Sequence, residues 1–117
     1  MGDLKGSYAP KYEMILFGNK GQRNLENSRY SDIIKCKRTN NSLHPTQKPA
    51  ALIEKLIINS SKENDIVLDC FGGSGTTAVA CYNTRRKYIV IEKNRDYYKK
   101  SIERIEDIKA QINLFNL

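Results

Sequence analysis

Hydrophobic positions in the second half of the chain follow two different spacings. They recur every three or four residues after Pro49 and again within 96–113, which predicts an amphipathic helix in each place. Between them, two short apolar runs at 66–69 and 88–92 predict buried strands, and a further helix is predicted over 75–83. The order strand, glycine turn, helix, strand, helix is typical of a βαβ unit. The sequence therefore predicts an α/β fold with parallel strands.

The first half of the chain is less regular. Residues 12–17, YEMILF, are apolar and aromatic between turn residues, which predicts a strand. The stretch 19–43 is polar and mostly aperiodic, so we expect a long loop there, with a short strand at 32–34. The length of 117 residues is that of one domain, and residues 1–117 are expected to form a single one.

Composition narrows the class of protein. The chain has 39% apolar and 28% charged residues, as a globular protein does, and it shows neither a membrane-spanning apolar run nor a signal-peptide core. Three cysteines without a CxxC pair argue against a disulfide framework or a zinc site and favour a reducing cytoplasm. The net charge of +7 favours an anionic partner, although basic clusters are often only solvated surface.

The most informative segment is VLDCFGGSGTT, residues 67–77, where a predicted strand ends in Asp69 and meets three glycines. Such a loop lies at the carboxyl edge of a parallel sheet, where ligands bind in open α/β folds. Glycines let a ligand approach the backbone, and the start of the next helix favours an anionic group. Glu92, 23 residues after Asp69, can accept hydrogen bonds from ribose hydroxyls at the end of the next strand. Together these features predict an adenosine-containing ligand.

Several ligands are compatible with a glycine loop. A phosphate-binding P-loop needs a lysine after the glycines, and none follows them. A dinucleotide site is formally satisfied by Gly73-x-Gly75-x-x-Ala78, but Asp69 would be poorly placed against a pyrophosphate. S-adenosylmethionine suits the residues better, because it offers an ammonium group for Asp69 and a ribose for Glu92. A tight strand-to-helix turn without any ligand is the remaining alternative.

Two motifs resemble those of a known family. The segment 69–77, DCFGGSGTT, resembles the D-P-F-x-G-S-G-T-T cofactor motif of DNA amino-methyltransferases, which methylate adenine N6 or cytosine N4. The segment 44–49, HPTQKP, is similar to their H-P-T-x-K-P segment, and its position ahead of the glycine loop resembles the beta class. Cys70 stands where the family usually has proline. The resemblance covers about residues 8–110 and implies a three-layer Rossmann-like, S-adenosylmethionine-dependent methyltransferase fold, of which this chain is an incomplete C-terminal portion.

The resemblance also implies a set of cofactor-binding residues, and no metal ligands. Asp69 would face the methionine end of S-adenosylmethionine, Glu92 would hold its ribose, and the glycine loop and the HPTQKP segment would complete the site. The implied residues are Asp69, Phe71, Gly73, Ser74, Gly75, Thr76, Glu92, His44, Thr46 and Lys48. The alternatives are a surface histidine at position 44 and a solvated helix-start lysine at position 48.

The catalytic tetrapeptide of this family, Asp/Asn/Ser-Pro-Pro-Tyr/Phe/Trp, is absent, since the prolines are Pro10, Pro45 and Pro49. We therefore assign no catalytic residue. The chain is expected to be the cofactor-binding part of a site-specific DNA amino-methyltransferase that acts on double-stranded DNA and needs an N-terminal catalytic half or second subunit. An unpaired sheet edge would favour self-association into a homo-oligomer. The alternatives are a non-catalytic DNA-binding or regulatory remnant and a dinucleotide-binding oxidoreductase domain.

Overall fold

The computed structural model describes residues 6, 8, 11–26, 30–37 and 47–116. Five elements follow in the order helix, strand, helix, strand, helix, which confirms the predicted α/β class. Their bounds lie close to the predicted ones: α1 Ala50–Ser60, β1 Ile66–Asp69, α2 Thr76–Asn83, β2 Lys87–Val90 and α3 Arg95–Phe115.

The two strands form a parallel sheet whose register aligns their carboxyl ends. Asp69 is opposite Val90, and the amide of Ile91 donates to the Asp69 carbonyl over 2.8 Å. The ladder therefore continues one residue past β2 and leads directly to Glu92. Because parallel strands end at the same edge, this register brings Asp69 and Glu92, far apart in sequence, to one edge of the sheet.

Helices cover one face of this sheet. Ile57 of α1 packs with Ala80 and Cys81 of α2, and a second buried cluster joins α2 to Ile105 of α3. The strand side chains that pack against these clusters are Val67, Tyr88 and Val90. Burial of these apolar surfaces is the main stabilising contribution to the described fold.

The described residues cover the opposite face of the sheet much less than the face that packs against the helices. Ile66, Leu68 and Ile89 point there, and Leu68 is 60% exposed. Strands that are apolar on both faces are typical of parallel sheets buried between two helical layers. The described residues thus supply one helical layer and the sheet of a three-layer arrangement.

The predicted strands at 12–17 and 32–34 are wrong. Neither segment joins the sheet of the described residues, and the apolar side chains of 12–17 lie in solvent, with Leu16 95% exposed. An extended segment needs a neighbouring strand edge to pair its backbone groups. Apolar composition predicted a strand correctly only where β1 and β2 pair with each other.

The described residues give little support to other kinds of site. Cys36 and Cys70 are exposed free thiols, and Cys81 is buried in the core, where burial raises the pKa of its thiol. No group of three or more metal-ligating side chains occurs within the described ranges. Among the helices described, none has the length and apolar content needed to cross a bilayer.

Candidate functional site

Asp69 ends β1 with its carboxylate held in place by the loop that follows. One oxygen accepts a hydrogen bond from the Phe71 amide over 2.9 Å, and the other accepts from the Thr77 hydroxyl over 2.6 Å. A carboxylate has about four acceptor positions, so two of them stay available after these bonds are made. Asp69 therefore presents an oriented negative charge at the sheet edge.

Glu92 lies two residues after β2 and joins two loops. Its Oε2 accepts from the Gly73 amide over 2.7 Å, and its Oε1 accepts from the Asn94 amide over 2.6 Å. Asn94 in turn caps α3, since its side-chain oxygen accepts from the amides of Asp96 and Tyr97. Glu92 thus ties the glycine loop to the start of the next helix and, like Asp69, keeps acceptor capacity.

The glycine loop is a tight turn that packs closely against β2 and α3. The Gly75 amide donates to the Gly72 carbonyl over 2.9 Å, and Gly73 and Gly75 have positive φ angles of 54° and 83°. A Cβ at position 72 would lie 2.1 Å from Cγ1 of Val90, and one at position 75 would lie 2.8 Å from Cβ of Ser101. Close packing therefore explains Gly72 and Gly75 without a ligand, whereas the sequence pattern of glycines predicted only access for a ligand.

Arg104 of α3 reaches back to this loop. Its Nη1 lies 3.1 Å from the Thr76 hydroxyl, 3.3 Å from the Ser74 carbonyl oxygen and 3.4 Å from the Ser74 hydroxyl. Ser74 and Thr76 are both buried, and burial lowers the pKa of the Arg104 guanidinium. Sequence patterns assigned no role to Arg104, because a contact across about 30 residues leaves no local signal. Thr77, which anchors Asp69, lies within the DCFGGSGTT motif but is likewise not among the predicted site residues.

The aromatic residue of the loop points away from the core. Phe71 is 92% exposed, and Cys70 beside it is also exposed. An exposed phenylalanine beside a half-buried carboxylate gives this edge an apolar surface next to a negative charge. Such a pairing suits a ligand that has both a flat apolar part and a positive charge.

The HPTQKP segment is only partly described. His44 and Thr46, both predicted to bind cofactor, lie outside the described residues. Lys48 is described, and its ammonium group forms a salt bridge with Glu13. The predicted residues that the structure brings together are Asp69, Phe71, Gly73, Ser74, Gly75, Thr76 and Glu92. Lys48 has its described contact elsewhere, in the segment 11–26.

The concave surface and the oriented carboxylates lie at opposite edges of the sheet and indicate different ligand sites. A concave surface of about 750 Å³ lies at the amino edge of the sheet, between α1 and β1, and is lined by residues that include Ile57, Ser61 and Asp65. It is broad and open, and its polar groups are largely paired with one another. We favour the carboxyl edge, because fixed carboxylates with acceptor capacity converge there on a loop at a helix start.

Comparisons with known proteins show which family of sequences this chain resembles. A family profile described as DNA methylase matches residues 3–103. The chain is 35% identical over 103 residues to the type II methyltransferase M2.LlaDCHI of Lactococcus lactis subsp. cremoris, covering 88% of this chain and 38% of that protein. It is 48% identical over 63 residues to the DNA adenine methyltransferase YhdJ of Escherichia coli (strain K12), covering 54% of this chain and 21% of that protein.

A solved structure is also similar. The crystal structure of an M1.HpyAVI–SAM complex matches with a TM-score of 0.58 and 43% sequence identity, over 70% of this chain and 41% of that chain. The chain thus spans less than half the length of these relatives.

Proposed function

The chain belongs to the DNA methylase family, and from that premise we propose that it is the S-adenosylmethionine-binding part of a DNA amino-methyltransferase acting on adenine N6 or cytosine N4. The observation that supports this most is the pair Asp69 and Glu92. Each carboxylate ends or follows one of two adjacent parallel strands, and each is bonded to the glycine loop between them.

The residues at the carboxyl edge fit this cofactor. Asp69 carries the charge and spare acceptor capacity that the ammonium of a methionine moiety requires, and Glu92 has the acceptors that two ribose hydroxyls require. Phe71 offers an exposed ring to the adenine. When bound, the cofactor supplies the sulfonium methyl group. The residues of this chain bind and orient that cofactor, which is a positioning contribution to methyl transfer.

His44, Thr46 and Lys48 belong to the proposal on sequence resemblance alone. The salt bridge between Lys48 and Glu13 links the HPTQKP segment to the segment 11–26. Both charges are substantially exposed, so the bridge contributes little to stability and can give way to another partner. Lys48 is therefore compatible with a cofactor role when the neighbouring parts of a methyltransferase are present.

We assign the catalytic tetrapeptide to a different segment or polypeptide, since Pro10, Pro45 and Pro49 are not adjacent to one another. That catalytic part would cover the open face of the sheet, where Ile66, Leu68 and Ile89 are exposed. The chain's share of 38% of its Lactococcus lactis relative leaves room for such a part. The +7 charge suits a double-stranded DNA substrate, whose phosphates would give a binding affinity that falls with salt.

A calorimetric titration with S-adenosylhomocysteine tests the proposal. We expect the purified chain to bind it and to transfer no methyl group from S-adenosylmethionine to DNA until the catalytic polypeptide is added. Glu92→Gln should weaken binding about tenfold or more, because a hydrogen bond to a charged group contributes roughly 1.5–3 kcal/mol.

The matched control is Glu63→Gln. Glu63 is an exposed glutamate at the amino edge, 3.8 Å from Arg85, and its loss should leave the affinity unchanged. Tight NADH binding without any affinity for S-adenosylhomocysteine would contradict the proposal and favour the oxidoreductase alternative. Binding of DNA but of neither nucleotide would indicate a non-catalytic remnant.

A further inference from the structure

Arg104 of α3 forms hydrogen bonds with both residues that flank Gly75. Its guanidinium bonds the hydroxyls of Ser74 and Thr76 and the Ser74 carbonyl oxygen. Ser74 is 3% exposed and Thr76 is 8% exposed, so neither can exchange Arg104 for water without moving the loop. Arg104 therefore fixes both the backbone and the side chains of the turn.

The acceptors of Arg104 are all uncharged. Within the described ranges no carboxylate forms a salt bridge with this arginine. Burial lowers the pKa of its guanidinium, yet an arginine remains charged at any physiological pH. The hydrogen bonds to Ser74 and Thr76 therefore compensate for the desolvation of this half-buried cation, and they do so at the loop that carries the predicted cofactor residues.

A second arginine, Arg86, makes a comparable set of bonds at the opposite edge. Its Nε lies 3.1 Å from the Ser61 hydroxyl, its Nη2 lies 2.7 Å from the Ser61 carbonyl oxygen, and its Nη1 bonds the Thr84 carbonyl oxygen. These bonds tie the end of α1 to the turn before β2, far from Asp69 and Glu92. Arg86 is therefore the control for Arg104, because it forms comparable hydrogen bonds at the edge that lacks the predicted cofactor residues.

We propose that Arg104 is a positioning residue for the cofactor: its three bonds to Ser74 and Thr76 hold the turn 72–76 in its binding geometry before the cofactor arrives. This inference rests on the proposed function. The loop amides must keep fixed directions if Gly73 is to stay bonded to Glu92 while Glu92 holds a ribose. Preorganisation of this kind reduces the ordering cost of binding, so its loss lowers affinity without removing a ligand contact.

The test compares Arg104→Gln with Arg86→Gln in two measurements. The first measurement is the Kd for S-adenosylhomocysteine. Arg104→Gln should raise this Kd about tenfold, and Arg104→Lys should give an intermediate value. Arg86→Gln should change the Kd less than about twofold, even though it lowers Tm. Equal Kd values for Arg104→Gln and the unaltered chain, or a Kd increase in Arg86→Gln as large as that in Arg104→Gln, would overturn the inference.

Amide hydrogen exchange gives a measurement that needs no cofactor. Arg104→Gln should accelerate exchange at the Gly75 amide, which is bonded to Gly72, and should spare the Lys87 amide, which is bonded to Asp65. Arg86→Gln should accelerate exchange at the Lys87 amide and leave exchange at the Gly75 amide unchanged. If the unaltered chain binds no S-adenosylhomocysteine, the proposed function fails; if exchange at Gly75 is unchanged in Arg104→Gln, the positioning role fails. Should Arg104→Gln not fold, the same comparison uses Arg104→Lys.

Discussion

The two edges of the sheet both have a turn with positive φ angles and an arginine bonded across it, but they differ in the hydrogen-bond acceptors that remain for a ligand. At the amino edge, Asn64 and Arg85 adopt positive φ angles of 69° and 59°, and Arg86 binds across the turn. At the carboxyl edge, Gly73 and Gly75 have positive φ angles, and Arg104 binds across the turn. The first edge uses its polar groups to join elements, whereas the second keeps two oriented carboxylates with spare acceptors.

The difference shows which feature of a turn requires glycine. A left-handed backbone is tolerated by asparagine and even by arginine where the side chain has open space, as at the amino edge. At the carboxyl edge, the obstacle is contact: Val90 and Ser101 occupy the space that a Cβ at position 72 or 75 would need. Glycine there allows β2 and α3 to pack closely against the loop, and this packing fixes the loop.

The largest effect is expected from Gly72→Ala. Its new methyl group would overlap Cγ1 of Val90, and since valine has little rotameric freedom the loop must shift, at a cost of about 1–3 kcal/mol. Urea unfolding measures this cost. In a Val90→Ala background the same substitution should cost markedly less, because the overlapping methyl is gone. An equal cost in both backgrounds would show that contact with Val90 is not the reason for glycine at this position.

A smaller effect, of opposite sign, is expected from Arg85→Gly. Arg85 follows α2 in a Schellman turn, in which the Arg86 amide donates to the Cys81 carbonyl over 2.8 Å, and glycine is the residue that best tolerates its φ of 59°. The substitution should raise the free energy of unfolding by roughly 0.5–1 kcal/mol. The exposed pair with Glu63 is lost but contributes little.

Arg85→Ala is the control for this substitution. It removes the same guanidinium without relieving the left-handed backbone, so it should not stabilise the chain. Thermal unfolding of the two variants side by side distinguishes them. If alanine stabilised as much as glycine, the arginine side chain rather than its backbone conformation would be responsible, and the contrast between the two edges would be weaker.

Much of the fold and part of the site could be predicted from the sequence. The periodicity of apolar positions located all five elements, and the parallel connection required Asp69 and Glu92 to share an edge. Local patterns could not predict the reach of Arg104 to Ser74 or the bridge from Lys48 to Glu13, because both depend on how distant segments pack. The strand predicted at 12–17 failed for a related reason, since no strand of the described residues pairs with it.

The central claim is that the cofactor binds at the carboxyl edge, and amide NMR during titration of the full chain with S-adenosylhomocysteine tests it most directly. We predict saturable shifts at Phe71, Gly73 and Asn94, whose amides donate to the two carboxylates. Asn64 and Arg86, at the amino edge, should serve as unshifted references. Saturable shifts confined to Asn64 and Arg86, or none at Phe71, Gly73 and Asn94 at saturating ligand, would contradict the account.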